Sequence, residues 1–560
     1  MAHRQSSRSS NRLFMNPMSK KARCHSTASF FANIAIVRDS SAVLYFCSFE
    51  VVAVRIFSIL LGLLIASTGR GEEFRVLPYV QNPAPDGITI RWLSNSEEPG
   101  TVRLPGTEHD AIKSTPTVAS TLSYNPFKEE PHGPHPALPW IHSVRIEGLK
   151  ASTEYEYTVT QGNETHSSTF RSSPGKDAPV RLIVYSDSET EPESSTTDPV
   201  AWPVSTGSNR PDGIKNYLVN QTAGYIANCN VMADRKPNLI LLVGDLVEAG
   251  GEQRDWDEFW RHNAGQYGTL ASSIPILPSL GNHENYGGPG GGYEAAAANL
   301  ATDKYLTYFD VPDNGATDPK HKGRYYRLDY GPLTLISLDS SDGLPHKTAS
   351  DTNHNLEGSR APDFNPGSEQ YRWLELQLAD ARKKSRFTFV QFHHTMFGSG
   401  PHSVPFGQDG FSGQAGIPMR VLLPLFMKYG VDLVFSGHDE LLERSYVEGE
   451  EQLADGQMCP HAIHFYDAGI GGDGLRGPSV GFDNPHRQFL AHENTPEVWE
   501  NGRLISGGKH YGHLEVDVQP GKDGKWSIEV TPVYAFPKVD EQGRVTWERR
   551  TYADVVRVTK

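Results

Sequence analysis

The chain has 560 residues, 37% apolar and 21% charged, a globular composition long enough for two or more domains. Its formal net charge is −15; residues 1–71 carry nine Lys/Arg against two Asp/Glu, a local +7 that leaves −22 for the remainder. An acidic body excludes general affinity for nucleic-acid duplexes, whose phosphates demand a Lys/Arg surface, but leaves a small phosphate ester open as a partner.

Residues 1–50 are Ser/Arg-rich without helical or strand period and receive no fold. Arg55, the apolar run Ile56–Ala66 and the small residues of Ser67-Thr68-Gly69-Arg70-Gly71 describe a signal peptide. The run is short for a transmembrane helix, so residues 1–71 read as leader and signal peptide. The expected mature chain begins near Glu72, is exported and keeps no stable membrane span, with translation starting nearer Val51–Val54. Cys24 and Cys47 fall in that leader; Cys229 and Cys459 either pair or stay as buried thiols.

Residues 72–175 read as an all-β sandwich. Ile88–Leu93 alternates in and out, His142–Ile146 leads into Gly148-Leu149, and Tyr155-Glu156-Tyr157-Thr158-Val159 follows. Ser172–Asp177 reads as a linker. From 176 to 560 apolar strands end in polar, glycine-bearing loops: Leu182–Tyr185 before Asp187, Leu239–Val243 before Gly244-Asp245, and Ile274–Leu277 before Gly281-Asn282-His283-Glu284. Phe387–Phe392 precedes His393-His394, and Leu433–Phe435 precedes Gly437-His438-Asp439-Glu440. Tyr371, Leu374, Leu378 and Ala381, after a Ser368 cap, predict a helix. Strand, loop and helix in repetition is the α/β pattern that gathers sites beyond the carboxyl ends of strands.

Five such loops offering Asp, Asn, His or Glu make the inventory that phosphate-ester hydrolysis asks for. Two cations about 3.5–4 Å apart clamp the ester and generate a hydroxide. Of the adjacent pair His393 and His394, only one side chain can point into the site from a strand end. His510 and His513 read as structural.

Gly244-Asp245, Gly281-Asn282-His283-Glu284, His393 and Gly437-His438 resemble the ordered motifs of the calcineurin-like metallophosphoesterases. The leading sandwich, fibronectin type III-like in its Gly-Leu and Tyr-x-Tyr, makes the purple acid phosphatases the most similar branch. The resemblance implies a four-layer α/β domain, two β-sheets face to face with helices outside. It also implies roles: Asp245 bridges two metals, while Asn282, His393 and His438 complete the second metal's shell. His283 acts on the ester, oriented by Glu284, and His402 faces the substrate. His394 keeps a supporting role.

The first metal site departs from that pattern. Asp187-Ser188-Glu189 puts Glu189 where Asp-x-His has histidine, Glu248 stands at a tyrosine position, and Glu440 replaces the last histidine. The expected metal set is therefore Asp187, Glu189, Asp245, Asn282, His393, His438 and Glu440, holding two divalent or trivalent ions of the Mn, Fe, Zn or Mg kind. The expected function is hydrolysis of phosphate mono- or diesters outside the cytoplasm by metal-bound hydroxide. The alternative is a secreted, non-catalytic binding protein with a degenerate metal site.

Overall fold

Short alternating stretches at the N-terminal end pair into two four-stranded sheets. One runs, in spatial order, Phe74–Ala84, Gly87–Ser94, Trp140–Ile146 and Thr115–Val118; the other runs Ile112–Lys113, Thr101–Arg103, Glu154–Gln161 and Glu164–Arg171. Their inner faces enclose Ile88, Ile90, Trp92, Val144, Tyr157 and Val159, the alternation expected of a sandwich. The buried Trp92 indole donates to Gln161 Oε1 at 2.6 Å, so its one polar atom is satisfied. The computed structural model describes residues 74–560 apart from 108–110, 126–135, 196–203, 205, 215–220, 454, 480–481, 492–495, 541 and 543. The expected leader, its cleavage site, Cys24 and Cys47 lie outside the described residues.

Two seven-stranded sheets form the larger part. In the first, Val180–Tyr185, Leu239–Leu242 and Ile276–Pro278 are parallel neighbours, extended on the other side by the antiparallel strands Gly512–Pro520, Trp526–Val539 and Val545–Thr551. In the second, Leu333–Ser337, Phe387–His394, Leu433–Gly437 and Met458–Ala468 run parallel in that spatial order. Leu182, Val184, Leu239 and Leu241 of the first sheet share one buried cluster with Leu333, Leu335, Phe389 and Phe435 of the second. The opposite face of the first sheet meets Trp256, Phe259 and Tyr305 on helices, and that of the second meets Leu374, Leu378 and Phe426. Helix, sheet, sheet, helix is the four-layer order expected. The helix Glu369–Lys384 begins as predicted, with Ser368 Oγ accepting from Tyr371 N at 3.1 Å.

The stretch Ser172–Asp177, expected as a linker, is a short connection locked in place: Ser172 and Ser173 are 3% exposed. The sandwich is fastened to the helices beside it. The Tyr157 hydroxyl donates to Ser272 O at 2.8 Å, the Tyr79 hydroxyl donates to Tyr308 O at 3.0 Å, and Val76, Tyr79 and Leu93 pack with Trp256 and Trp260. The described residues from 74 onward consequently group as one compact unit. Cys229 and Cys459 are both free thiols. Among the described residues no helix is long and apolar enough to cross a membrane.

Candidate metal centre

The carboxyl ends of both sheets' parallel strands meet at one place, and the loops leaving them turn sharply. Asp187, Glu189, Asp245, His438 and Glu440 all have positive φ, between 34° and 79°. Non-glycine residues avoid that region, and strain of this kind concentrates where side chains must be aimed. Gly244 (φ 88°) also needs its missing Cβ, which would sit 2.6 Å from His393 Nδ1.

His393 stands at the centre. Its strand carries a register irregularity: Gln391 pairs with Phe435 but His394 with Gly437, one residue too many on the His393 side. Such a bulge re-aims a side chain. It turns His393 Nε2 toward Asp245 Oδ2 at 2.8 Å, Asn282 Oδ1 at 3.0 Å and His438 Nδ1 at 3.2 Å. His394 instead bonds Ser340 Oγ through Nδ1 at 2.8 Å.

The far sides of these groups are all engaged. His393 Nδ1 donates to Val243 O at 3.0 Å, His438 Nε2 donates to Gln414 O at 2.7 Å, and Asn282 Nδ2 donates to Tyr293 Oη at 3.1 Å. That pattern leaves one imidazole lone pair from each histidine, an amide oxygen and a carboxylate converging on one point, the orientation that outer-shell hydrogen bonds give metal ligands. Burial opposes a charge on His393, yet the Asp245 and Asp187 carboxylates raise its pKa to about 9. Burial likewise works against the Asp245 charge, but His393 and His283 hold that carboxyl well below its usual range. The Asp245 and Asp187 carboxylates favour a positive charge at this point, and a proton on His393 supplies one. The donor set fits a borderline cation.

Beside it lies a second group. Glu189, Glu440 and Asp473 offer oxygens within 4.8 Å of one another, and Glu189 also groups with Asp245 and His283. Burial, then the crowding of Asp473 and its neighbours, raises Glu189 and Glu440 well above the usual carboxylate range. Asp187 rises to about 7, through burial and the Asp245 charge, although both its oxygens accept from His438 N at 3.0 Å. Arg476 forms an ion pair with Glu440 Oε1, leaving Glu440 Oε2 buried without a partner. This all-oxygen set fits a hard ion. Glu248 stands at the rim, half-buried, with its Oε2 4.0 Å from His283 Nδ1.

The expected pairing of Glu284 with His283 is not what the structure contains. The Glu284 carboxylate accepts from Gly281 N at 2.8 Å, Asp245 N at 3.0 Å and Leu246 N at 2.8 Å, bolting two loops together. Burial and the Asp245 charge push it up to about 7, against those donors. His283 is oriented by Glu248 O, which accepts from Nδ1 at 2.5 Å. The reason is geometric: successive residues of the short 3-10 turn His283–Asn285 point in different directions. His402 packs against the His438 ring, tilted to it with centroids 3.9 Å apart, and its Nε2 accepts from Arg476 Nη1 at 3.3 Å. His510 and His513 are buried, bonded to Gly507 O and Asn228 Oδ1.

Residues 218–439 match the calcineurin-like phosphoesterase family, and residues 75–173 match the purple acid phosphatase N-terminal domain. The part of the chain that carries the centre is thus similar to the calcineurin-like phosphoesterases. Its relatives are of the purple acid phosphatase kind. A purple acid phosphatase of Glycine max is 23% identical over 64% of this chain and 62% of its own length. Probable inactive purple acid phosphatase 27 of Arabidopsis thaliana is 24% identical over 68% of this chain and 57% of its own. An uncharacterized protein of Mycobacterium tuberculosis is 28% identical over 59% of this chain, which spans only 54% of that relative.

Sequence reasoning missed Asp473 and Arg476, Gln414 and Tyr293. The first two sit in the loop Gly469–Arg476, which follows the strand Met458–Ala468 just as the other site loops follow theirs. A glycine-rich, Asp-bearing loop after a sixth apolar strand was the available signal.

Proposed function

We propose that the chain is a calcineurin-like phosphoesterase that hydrolyses small phosphate mono- or diesters at a two-cation centre, in an exported protein of two domains, 72–175 and 176–560. The observation that carries the reading is the convergence of Asp245 Oδ2, Asn282 Oδ1 and His438 Nδ1 on His393 Nε2, with the far side of each group held by a hydrogen bond, that of Asp245 by His283 N at 2.9 Å. In this reading Asp245, Asn282, His393 and His438 hold one ion, and Glu189, Glu440 and Asp473, with Asp187 behind them, hold the other. Ions there would supply Lewis acidity toward a phosphoryl oxygen and an attacking water.

The remaining work falls to side chains at the mouth. His283 turns Nε2 toward the mouth, 3.9 Å from Glu189 Oε1, because Glu248 O occupies Nδ1. Burial lowers its pKa, but Asp245 and Glu248 outweigh that and raise it, so it is the proton donor to the leaving oxygen. His402 is the opposite case: burial and Arg476 press it down to about 3, so it faces the substrate as a neutral ring that positions Arg476. Arg476, with its side chain 47% exposed, presents donors to a phosphoryl oxygen.

A second reading has its own support. Four of the Arabidopsis relatives are named as probable inactive purple acid phosphatases, and in this chain a guanidinium already pairs with Glu440. A protein so built would keep the sandwich as a binding module around a one-ion or ion-free domain. Metal analysis of the purified protein, with a hydrolysis screen on mono- and diesters, separates the two. About two ions per chain with turnover supports the enzyme; fewer ions and no turnover on any ester supports the binding protein. Export is tested by N-terminal sequencing of protein recovered outside the cytoplasm, where a start near Glu72 is expected.

A further inference from the structure

Just after the Gly281-Asn282-His283-Glu284 loop, Tyr286 and Tyr293 stand at the two ends of a run, Gly287–Gly292, made only of glycine and Pro289. Glycine holds no shape by itself, so the order of such a run comes from packing and from its own hydrogen bonds. Gly287 N donates to Gly292 O at 2.7 Å, and Gly292 N donates to Gly288 O at 2.9 Å. A Cβ on Gly287 or Gly291 would collide with Ala297 Cβ, so the run is pressed against the helix Ala295–Tyr308. Closing the run at its neck sets the two tyrosines side by side, ring centroids 5.2 Å apart and planes tilted by 43°. Tyr293 is the fixed member. Its ring packs on Ala298, Leu356 and Ala361, and its hydroxyl accepts from Asn282 Nδ2 at 3.1 Å. The Tyr286 backbone is tied at both ends: N donates to His283 O at 3.0 Å, and O accepts from Gly251 N at 2.9 Å. Its ring stays only half-buried, with its centroid 6.1 Å from that of His283.

The mouth is thereby divided. Arg476 and His402 contact Glu440 and His438, whereas Tyr286 contacts His283. In the phosphoesterase reading His283 gives its proton to the leaving oxygen, so a ring beside His283 meets the alcohol and not the phosphoryl group. The charged groups that act on Tyr286 are the Glu248 and Glu252 carboxylates; burial first, then these two, raise its pKa, and it stays a neutral phenol. Carboxylates on this side disfavour a leaving group that carries further negative charge. Resting on that reading, we propose that Tyr286, braced by Tyr293, determines specificity by stacking the leaving group. The preferred substrates are then phosphate esters of neutral alcohols with a flat aromatic ring next to the ester oxygen. A fixed, half-exposed ring recognises another flat ring through offset or edge contacts that an aliphatic ring of equal size cannot copy.

The test compares benzyl phosphate with cyclohexylmethyl phosphate on the metal-loaded, full-length protein. The two release alcohols of similar size and acidity, one flat and one puckered. Wild type is expected to show a kcat/KM about three- to tenfold higher for the benzyl ester. A wall that were merely apolar would favour the cyclohexyl ester, the more hydrophobic of the two. Tyr286→Leu should bring the ratio to about one, and Tyr286→Phe should keep it; if Tyr286→Leu does not fold, Tyr286→Met takes its place. Calorimetry with phenethylphosphonate and cyclohexylethylphosphonate, in which carbon replaces the ester oxygen, reads the same preference without chemistry. Tighter binding of phenethylphosphonate with no turnover of either ester keeps the stacking site and counts against the phosphoesterase reading. Equal or reversed preference in wild type, a preference that survives loss of the Tyr286 ring, or no binding of either phosphonate overturns the proposal.

Discussion

Replacing Glu284 with glutamine perturbs the centre without touching any proposed ligand. Glu284 Oε2 accepts from both Asp245 N and Gly281 N, and Oε1 accepts from Leu246 N. Glutamine keeps the volume but offers only one acceptor oxygen. Whichever way its amide turns, an NH₂ group faces at least one buried backbone N–H. A buried donor left unpaired costs about 1–3 kcal/mol, and hydrogen bonds to a charged acceptor lie at the upper end. With one or two donors stranded, Glu284→Gln should destabilise the protein by about 2–5 kcal/mol. Because the same bonds fix Asp245 and the Asn282 loop, cation affinity should also fall about 10–100-fold. Thermal melting measures the first effect, and metal content after dialysis against graded chelator measures the second. A variant that melts with wild type and keeps its metal would refute the bolt.

His283→Ala should retain metal while slowing ester turnover by two to four orders of magnitude, about the usual worth of general acid catalysis, as paired metal analysis and rate measurement would reveal; loss of metal would mean His283 is a ligand. His510, buried against Tyr534, has its pKa pressed down by burial to about 4 from a reference of 6.5. The unfolded chain takes that proton first, so the contribution is complete above about pH 6.5 and falls by about 3 kcal/mol as pH drops toward 4. His510→Gln should flatten the acid limb of a melting-temperature profile, and an unchanged limb would contradict this. The proposed first site holds Glu189, Glu440 and Asp473 and no phenol, while Tyr293 Oη is engaged by Asn282. Metal-loaded protein should therefore show no tyrosinate-to-iron charge-transfer band, and an intense visible band would place a tyrosine on the metal.

Much of this arrangement was legible because the chemistry recurs at strand ends. Apolar runs such as Leu239–Leu242 announce buried parallel strands, and the polar residues after them mark where loops meet. Ser368 announced its helix through its side chain alone. What stayed hidden depends on partners distant in sequence. The choice between His393 and His394 rests on a bulge that only pairing with the strand Leu433–Gly437 creates. Glu284 sits beside His283 in sequence, yet its partners are backbone amides, which no side-chain motif records. The sandwich is fixed by hydroxyls on backbone carbonyls, as in Tyr79 and Tyr157, so its apparent linker carries no hinge. Arg476 followed no expected motif, and its meaning appears only where it meets Glu440 and His402.

The central claim is that four side chains from four separate loops make one cation site. Anomalous diffraction from crystals of metal-loaded wild-type protein tests it most directly. A peak within bonding distance of Asp245 Oδ2, Asn282 Oδ1, His393 Nε2 and His438 Nδ1 is the expected result, with His393 released from its proton and its direct pairing to Asp245. A cation bound elsewhere, with His393 Nε2 still on Asp245 Oδ2, would contradict it.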